Sequence, residues 1–230
     1  MDEGNLENLP KLIITIDGPA GAGKTTVSRI LAHRLGYKYI DTGALYRAVA
    51  FEVRAAGLSP HDDAGIEKLC SIIHLKFVRN EKGLRLQSND LDITDQIREP
   101  EITMLASEVS SNPSVRRYLL DLQRDMAKGK GVVAEGRDMG TVVFPNADIK
   151  FYLDASPKTR AVRRHKEFMS VSSQTLKEVE RDIKKRDKND STRIFAPLKP
   201  AEDATIIDST DLTLHQVVEL MLCHIENAFG

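Results

Sequence analysis

The sequence predicts an α/β protein, a five-stranded parallel sheet flanked by helices, and three observations carry that prediction. Short apolar, β-branched runs alternate with stretches of helical period along most of the chain. The first of these runs opens directly into a glycine-rich turn and then a helix. One stretch, His74 to Ile93, breaks the rhythm with closely spaced short runs and turn residues.

Lys11 to Ile16 reads as a strand buried on both faces. After the following turn, Val27, Ile30, Leu31 and Leu35 fall at helical spacing, and Gly36 is placed to end that helix in a left-handed cap. Tyr37 to Ile40 is the second strand, with Val132 to Glu135, Asp148 to Leu153 and Thr205 to Ile207 as the others. Helical patterns separate most of them, so the connections favour parallel pairing with helices on both faces. Within the exception, Leu75 to Val78, Leu84 to Leu86 and Leu91 to Ile93 are expected to be short antiparallel strands forming a small insertion. Val217, Val218, Leu220, Met221 and Ile225 form the apolar stripe of a terminal helix. The first ten residues read as a loose tail.

A chain of 230 residues with 41% hydrophobic content can bury a substantial core. Its 33 basic and 34 acidic residues give a formal charge of −1, which provides no general field for holding nucleic acid, so any anion site must be local. Cys70 and Cys223 lack ligand-like spacing and read as reduced, buried thiols. The six histidines are scattered without pairing. The acidic, polar start and the lack of any long apolar run point to a cytoplasmic protein without membrane contact.

Gly18-Pro19-Ala20-Gly21-Ala22-Gly23-Lys24-Thr25 fits G-x-x-x-x-G-K-[ST], a match expected by chance in roughly one chain of this length per hundred. Between a strand and a helix it has a mechanism. Backbone N–H groups and the helix N-terminus favour a polyphosphate, Lys24 reaches the β- and γ-phosphates, and the Thr25 hydroxyl holds Mg²⁺. Three polar clusters follow. Asp41-Thr42-Gly43-Ala44-Leu45-Tyr46-Arg47 lies beyond the second strand, at the carboxyl edge where open α/β sheets bind ligands, although a capped helix with an exposed arginine would read alike. Gly136-Arg137-Asp138-Met139-Gly140 brings two glycines and a charge pair to a strand end, which favours close approach of a ligand. Arg186-Asp187-Lys188-Asn189-Asp190-Ser191-Thr192-Arg193 follows a helix beginning near Ser172; it is either a solvated helix end or a loop of cations around a moving phosphoryl group. Lys158, Arg160, Arg163 and Arg164, near a helix start, read as a solvated basic face, with an approach to ATP as the alternative.

These stretches, with Thr141 to Pro145 and Ala196-Pro197-Leu198, resemble bacterial-type cytidylate kinases, of the nucleoside monophosphate kinase family of P-loop kinases, over nearly the whole chain. The Gly-Arg-Asp-Met-Gly-Thr-Val-Val-Phe-Pro stretch is far more specific than the phosphate loop. The resemblance implies ATP-dependent phosphorylation of CMP and dCMP in pyrimidine nucleotide metabolism, by a monomer. It implies a core of residues 11–40, 130–170 and 198–230, a monophosphate-binding region at 41–129 containing the 74–93 β insertion, and a helical lid at 171–197. Gly18 to Thr26 would hold ATP, and Lys24, Arg137, Arg186 and Arg193 would carry catalysis. Asp41, Thr42, Tyr46, Arg47, Arg137, Arg186 and Asp190 would bind the monophosphate. Ser107, Arg116 and Asp138 would read cytosine, whose N4 amino group suits a carboxylate and whose O2 and N3 suit a cation or hydroxyl. Many relatives have glycine at the position of Thr25, and some carry an arginine where Asn189 or Ser191 stands here. A kinase for another small acceptor (UMP, AMP or shikimate) is the nearest alternative. A nucleotide-driven switch is more distant, since neither N-K-x-D nor L-S-G-G-Q is present.

Overall fold

In a computed structural model of the chain, which describes residues 9–81, 83–168 and 174–229, the five apolar runs become β1 (Ile13–Asp17), β2 (Lys38–Asp41), β6 (Val132–Gly136), β7 (Ile149–Asp154) and β8 (Thr205–Asp208). They form one sheet in the order β2-β6-β1-β7-β8, with every neighbouring pair parallel. β1 is central: Ile13 pairs with Val132 of β6 and Ile14 with Ile149 of β7. Four of the five strands end in aspartate, at Asp17, Asp41, Asp154 and Asp208, so the carboxyl edge is polar where the strand bodies are apolar.

The described residues divide into two compact units, one within Met1–Asp41 and Met126–Gly230, the other Thr42–Asp125. The first unit contains the sheet, α1 (Lys24–Arg34), α6 (Pro157–Phe168), α7 (Leu176–Thr192) and α8 (Leu214–Phe229). Its core joins Leu12, Ile14 and Ile16 to Val27 and Leu31 of α1, Phe151 and Leu153 of β7, and Val217, Val218, Met221 and Ile225 of α8. Side chains of this kind contribute about 1.5–3 kcal/mol each on burial, before the entropy of ordering them. α1 stops as the sequence predicts. Gly36 takes φ 64 and donates to the His33 carbonyl, while Tyr37 donates to that of Ala32, closing the helix with a paired cap. α7 begins with a reciprocal cap between Thr175 and Glu178. The expected start near Ser172 lies outside the described residues, as do most of the predicted N-terminal tail and part of the predicted lid.

The second unit contains α2 (Thr42–Ala55), α3 (Asp63–Ile72), α4 (Pro100–Val109), α5 (Pro113–Met126) and the antiparallel strands β3 (Leu75–Asn80), β4 (Gly83–Ser88) and β5 (Leu91–Asp92). The 74–93 region is therefore the small antiparallel insertion that its turn residues predict. Proline opens both α4 and α5, where its missing N–H costs nothing. α2 buries Leu45, Ala48, Val49 and Val53 and packs on α4.

Two expectations for α8 are corrected. Leu220 is 51% exposed and Cys223 is exposed, because both border an open groove where α8 runs past the edge strand β8, beside the exposed Ile206. The other four stripe residues are buried, as is Cys70.

Candidate active site

The phosphate loop leaves β1 at Gly18, whose φ of 147 and position against β7 exclude any other residue: a Cβ there would meet the Leu153 carbonyl oxygen at 2.0 Å. Gly23 then serves as the N-cap of α1, so the first helical residue is Lys24. The Lys24 side chain is buried and folds back along the loop, donating from Nζ to the carbonyls of Gly18 at 2.8 Å and Pro19 at 2.7 Å. Burial, then the charges of Arg137 and Arg186, hold its pKa well below the ordinary lysine range, with Glu135 and Asp17 pulling the other way. Thr25 and Thr26 are exposed at the start of α1.

Arg137 follows the end of β6. Its Nε donates to Asp190 Oδ2 at 2.9 Å and its Nη1 to the Gly136 carbonyl at 3.3 Å. Burial opposes its charge, but Asp190, Asp187 and Glu135 outweigh burial and raise its pKa further. Asp190 is itself buried on α7. Burial would raise its pKa, and Arg137, Arg186 and Arg193 together hold it below the carboxylate range. Arg193 lies 3.8 Å from Asp138 and donates from Nε to the Ala196 carbonyl at 2.6 Å. Lys24, Arg137, Arg186 and Arg193 thus belong to one charged cluster with Asp138 and Asp190.

Asp138 is buried and precedes a single wide turn, Met139–Val143, closed by the Phe144 N–H on the Met139 carbonyl. That turn hangs from the sheet by Asp17, whose two oxygens accept from the N–H groups of Met139 and Gly140 at 2.8 Å each. Burial raises the Asp17 pKa to about 6, against the two backbone bonds that lower it. The close approach expected at Gly140 is to the protein's own side chains, Lys150 and Thr15.

Glu135, one residue before the end of β6, accepts hydrogen bonds from the Tyr39 hydroxyl and from Thr25. Burial, then the Asp41 charge, raise its pKa. Among the described residues no group of three or more His, Cys, Asp or Glu is placed to hold a metal. The oxygen donors at Thr25, Glu135 and Asp41 suit a hard cation that keeps water and phosphate for most of its coordination, as Mg²⁺ does.

In the other unit, Tyr46 and Arg47 lie on α2, Ser107 on α4 and Arg116 on α5. The Arg116 guanidinium sits 5.7 Å from the Tyr46 ring centroid and donates to the Ser110 carbonyl at 3.0 Å. Ser110 in turn donates to the Ser107 carbonyl, which ties Arg116 to the turn of α4 bearing Ser107. The Ser107 hydroxyl is buried without a hydrogen-bond partner among the described residues. A hydroxyl in that condition is costly unless a ligand completes it.

The solvated basic face expected on α6 holds for the exposed Lys158 and is corrected for Arg160 and Arg163. Arg160 is 5% exposed and spends its donors on the carbonyls of Ala155 and Ala20 and on Asp187, and Arg163 donates to Ala22 and Ser209. Neither role is visible in charge spacing alone; the signal available was their place one turn beyond β7, at the loaded edge of the sheet.

A phosphate loop on the central strand of a parallel sheet, ringed by arginines from the end of β6 and from α7, defines a phosphotransferase of the P-loop kinase class. The family model described as cytidylate kinase matches residues 14–227, and the chain belongs to that family. A cytidylate kinase of Geobacter sp. (strain M21) is 47% identical over 211 residues, 91% of each chain. That of Syntrophotalea carbinolica is 48% identical over 217 residues, 92% of this chain and 91% of its own. A crystal structure of a protein from Eubacterium ventriosum shares the fold at 13% identity with a TM-score of 0.53, covering 94% of this chain and 99% of that one.

Proposed function

We propose that the chain transfers the γ-phosphoryl group of ATP to the 5′-phosphate of CMP and dCMP by in-line displacement. The observation that carries this reading is the gathering of Lys24, Arg137 and Arg186 beside the phosphate loop, three cations whose mutual repulsion an incoming polyphosphate relieves. Gly18 to Thr26 hold ATP, and Lys24 exchanges its two loop carbonyls for phosphate oxygens. The acceptor is already an anionic oxygen, so no general base is required. Arg137, Arg186 and Arg193 neutralise charge as the phosphoryl group moves, and Asp190 keeps Arg137 in a fixed orientation. Thr25, with Glu135 and Asp41 behind it, would hold Mg²⁺, which would supply additional charge neutralisation on the phosphates.

Asp41, Thr42, Tyr46 and Arg47 bind the acceptor nucleotide, with Arg137, Arg186 and Asp190. Asp138 accepts from the cytosine N4 amino group, and Ser107 and Arg116 recognise the remaining edge of the base. Uracil would set a carbonyl against Asp138, and an unmatched buried carboxylate costs about 1–3 kcal/mol or more. Residues 11–40, 130–170 and 198–230 act as the core, 41–129 as the monophosphate-binding region and 171–197 as the lid. The same reading has the enzyme working as a cytoplasmic monomer without nucleic acid or membrane; the formal charge of −1 supports it, and no helix among the described residues is long and apolar enough to cross a membrane.

The test is ADP release from Mg·ATP against CMP, dCMP, UMP, AMP, GMP and shikimate, with a no-acceptor control. Rapid turnover with CMP and dCMP over UMP is expected. Turnover confined to another acceptor would remove the base-reading roles, and hydrolysis without any acceptor would remove the kinase.

A further inference from the structure

Asp187 of α7 reaches the phosphate loop itself. Its Oδ2 accepts from Arg160 Nη1 at 2.6 Å, and its Oδ1 accepts from the backbone N–H of Ala20 at 3.4 Å. The same Arg160 Nη1 donates to the Ala20 carbonyl at 2.9 Å, and Nε anchors the guanidinium on the Ala155 carbonyl at 2.8 Å. Ala20 is therefore held at both its N–H and its C=O, one by α7 and the other by α6. A trans peptide points its C=O and N–H in opposite directions, so fixing the Ala20 carbonyl on Arg160 turns the Gly21 N–H away from Arg160. Packing enforces the same arrangement: a Cβ at Gly21 would lie 2.9 Å from the Arg160 carbonyl oxygen, so the loop rests directly on the first turn of α6.

Three residues further along α7, on the same helical face, Asp190 holds Arg137. One face of α7 thus engages both the phosphate loop and a cation of the charged cluster. We infer that Asp187, through Arg160, is a positioning residue for ATP, which sets the peptide planes of the phosphate loop and makes the loop's geometry depend on the docking of α7.

This inference rests on the reading of residues 18–25 as the ATP phosphate site. The experiment measures the Kd of a fluorescent ATP analogue, KM for ATP and for CMP, and the melting temperature, for the wild type, Asp187→Ala, Asp187→Asn, Arg160→Met and the double variant Arg160→Met with Asp187→Ala. Asp187→Ala is expected to weaken ATP about tenfold or more, the scale of a lost charge-assisted hydrogen bond, with KM for CMP within about twofold. Asp187→Asn keeps the shape but loses the charge and should fall between. The double variant should be no worse than the poorer single one, because the two side chains are bonded to each other and hold the same residue, Ala20. Unchanged ATP affinity in Asp187→Ala, an equal rise in both KM values, or additive losses in the double variant would each overturn the inference. Should Asp187→Ala fail to fold, the isosteric Asp187→Asn decides by the same ratio of ATP to CMP effects. A wild type that does not bind the ATP analogue would instead remove the underlying assignment of the loop.

Discussion

Two polar clusters, one in each unit, are bonded to different degrees. In the sheet-bearing unit, charges at the carboxyl edge are heavily cross-bonded: Arg137 to Asp190, Arg160 to Asp187, Asp17 to two backbone amides. In the unit of α2, α4 and α5, Ser107 buries a hydroxyl with no partner among the described residues, and Arg116 rests on an aromatic ring and a helix-end carbonyl. The first arrangement is preorganised, so its groups arrive at the phosphates without reorganising. The second retains hydrogen-bonding capacity that a ligand has to complete, and completing it is what discriminates between ligands.

The largest expected effect comes from breaking the preorganised side. Lys24→Ala should lower turnover about 10³-fold or more while the circular dichroism spectrum and melting temperature stay close to the wild type's; near-normal turnover would remove Lys24 from the chemistry. Next comes a pH effect specific to that unit. Asp17 has a folded pKa of about 6 against an ordinary 3.8, so the folded state holds its proton more tightly than the unfolded chain does. Its contribution is fully present below pH 4 and is lost as pH rises through 6, on the order of 3 kcal/mol for a shift of about two units. Urea unfolding of wild type and Asp17→Asn at pH 4 and pH 7 should therefore show the wild type losing stability relative to the variant at the higher pH. A difference independent of pH would show that Asp17 does not titrate there.

Asp138→Asn should reduce kcat/KM for CMP about 10–100-fold with KM for ATP within about twofold. Equal losses for both substrates would make Asp138 structural. The smallest effect sharpens the comparison most. Ser107→Ala should cost roughly tenfold in kcat/KM for CMP yet leave the melting temperature of the free protein equal or higher, since it deletes a hydroxyl that no described residue bonds. A clear loss of stability in the free protein would show that the hydroxyl already had a structural partner.

What could be read from the sequence was local. The phosphate loop is eight consecutive residues, the α1 cap depends on Gly36 alone, and the five sheet strands lie within a residue or two of the predicted runs. What could not be read depends on long-range packing. Pro157 to Arg164 has the charge pattern of a solvated helix, and only the approach of the phosphate loop and α7 turns Arg160 into a buried hub. Leu220 fits the apolar stripe of α8 by spacing, but the sheet does not extend far enough to cover it. The wide turn at Met139–Val143 inserts one extra residue per turn, which periodicity does not announce.

The placement of β1 in the sheet also governs when the enzyme can first exist during its own synthesis. This strand is made early, yet its two neighbours begin at Val132 and Ile149, so its apolar residues wait, for roughly ten seconds at ordinary elongation rates, before either partner emerges. Thr42–Asp125 is contiguous and can complete its own contacts in the meantime. A ribosome stalled before β7 would therefore carry a nascent chain with part of its structure formed and no seat for nucleotide.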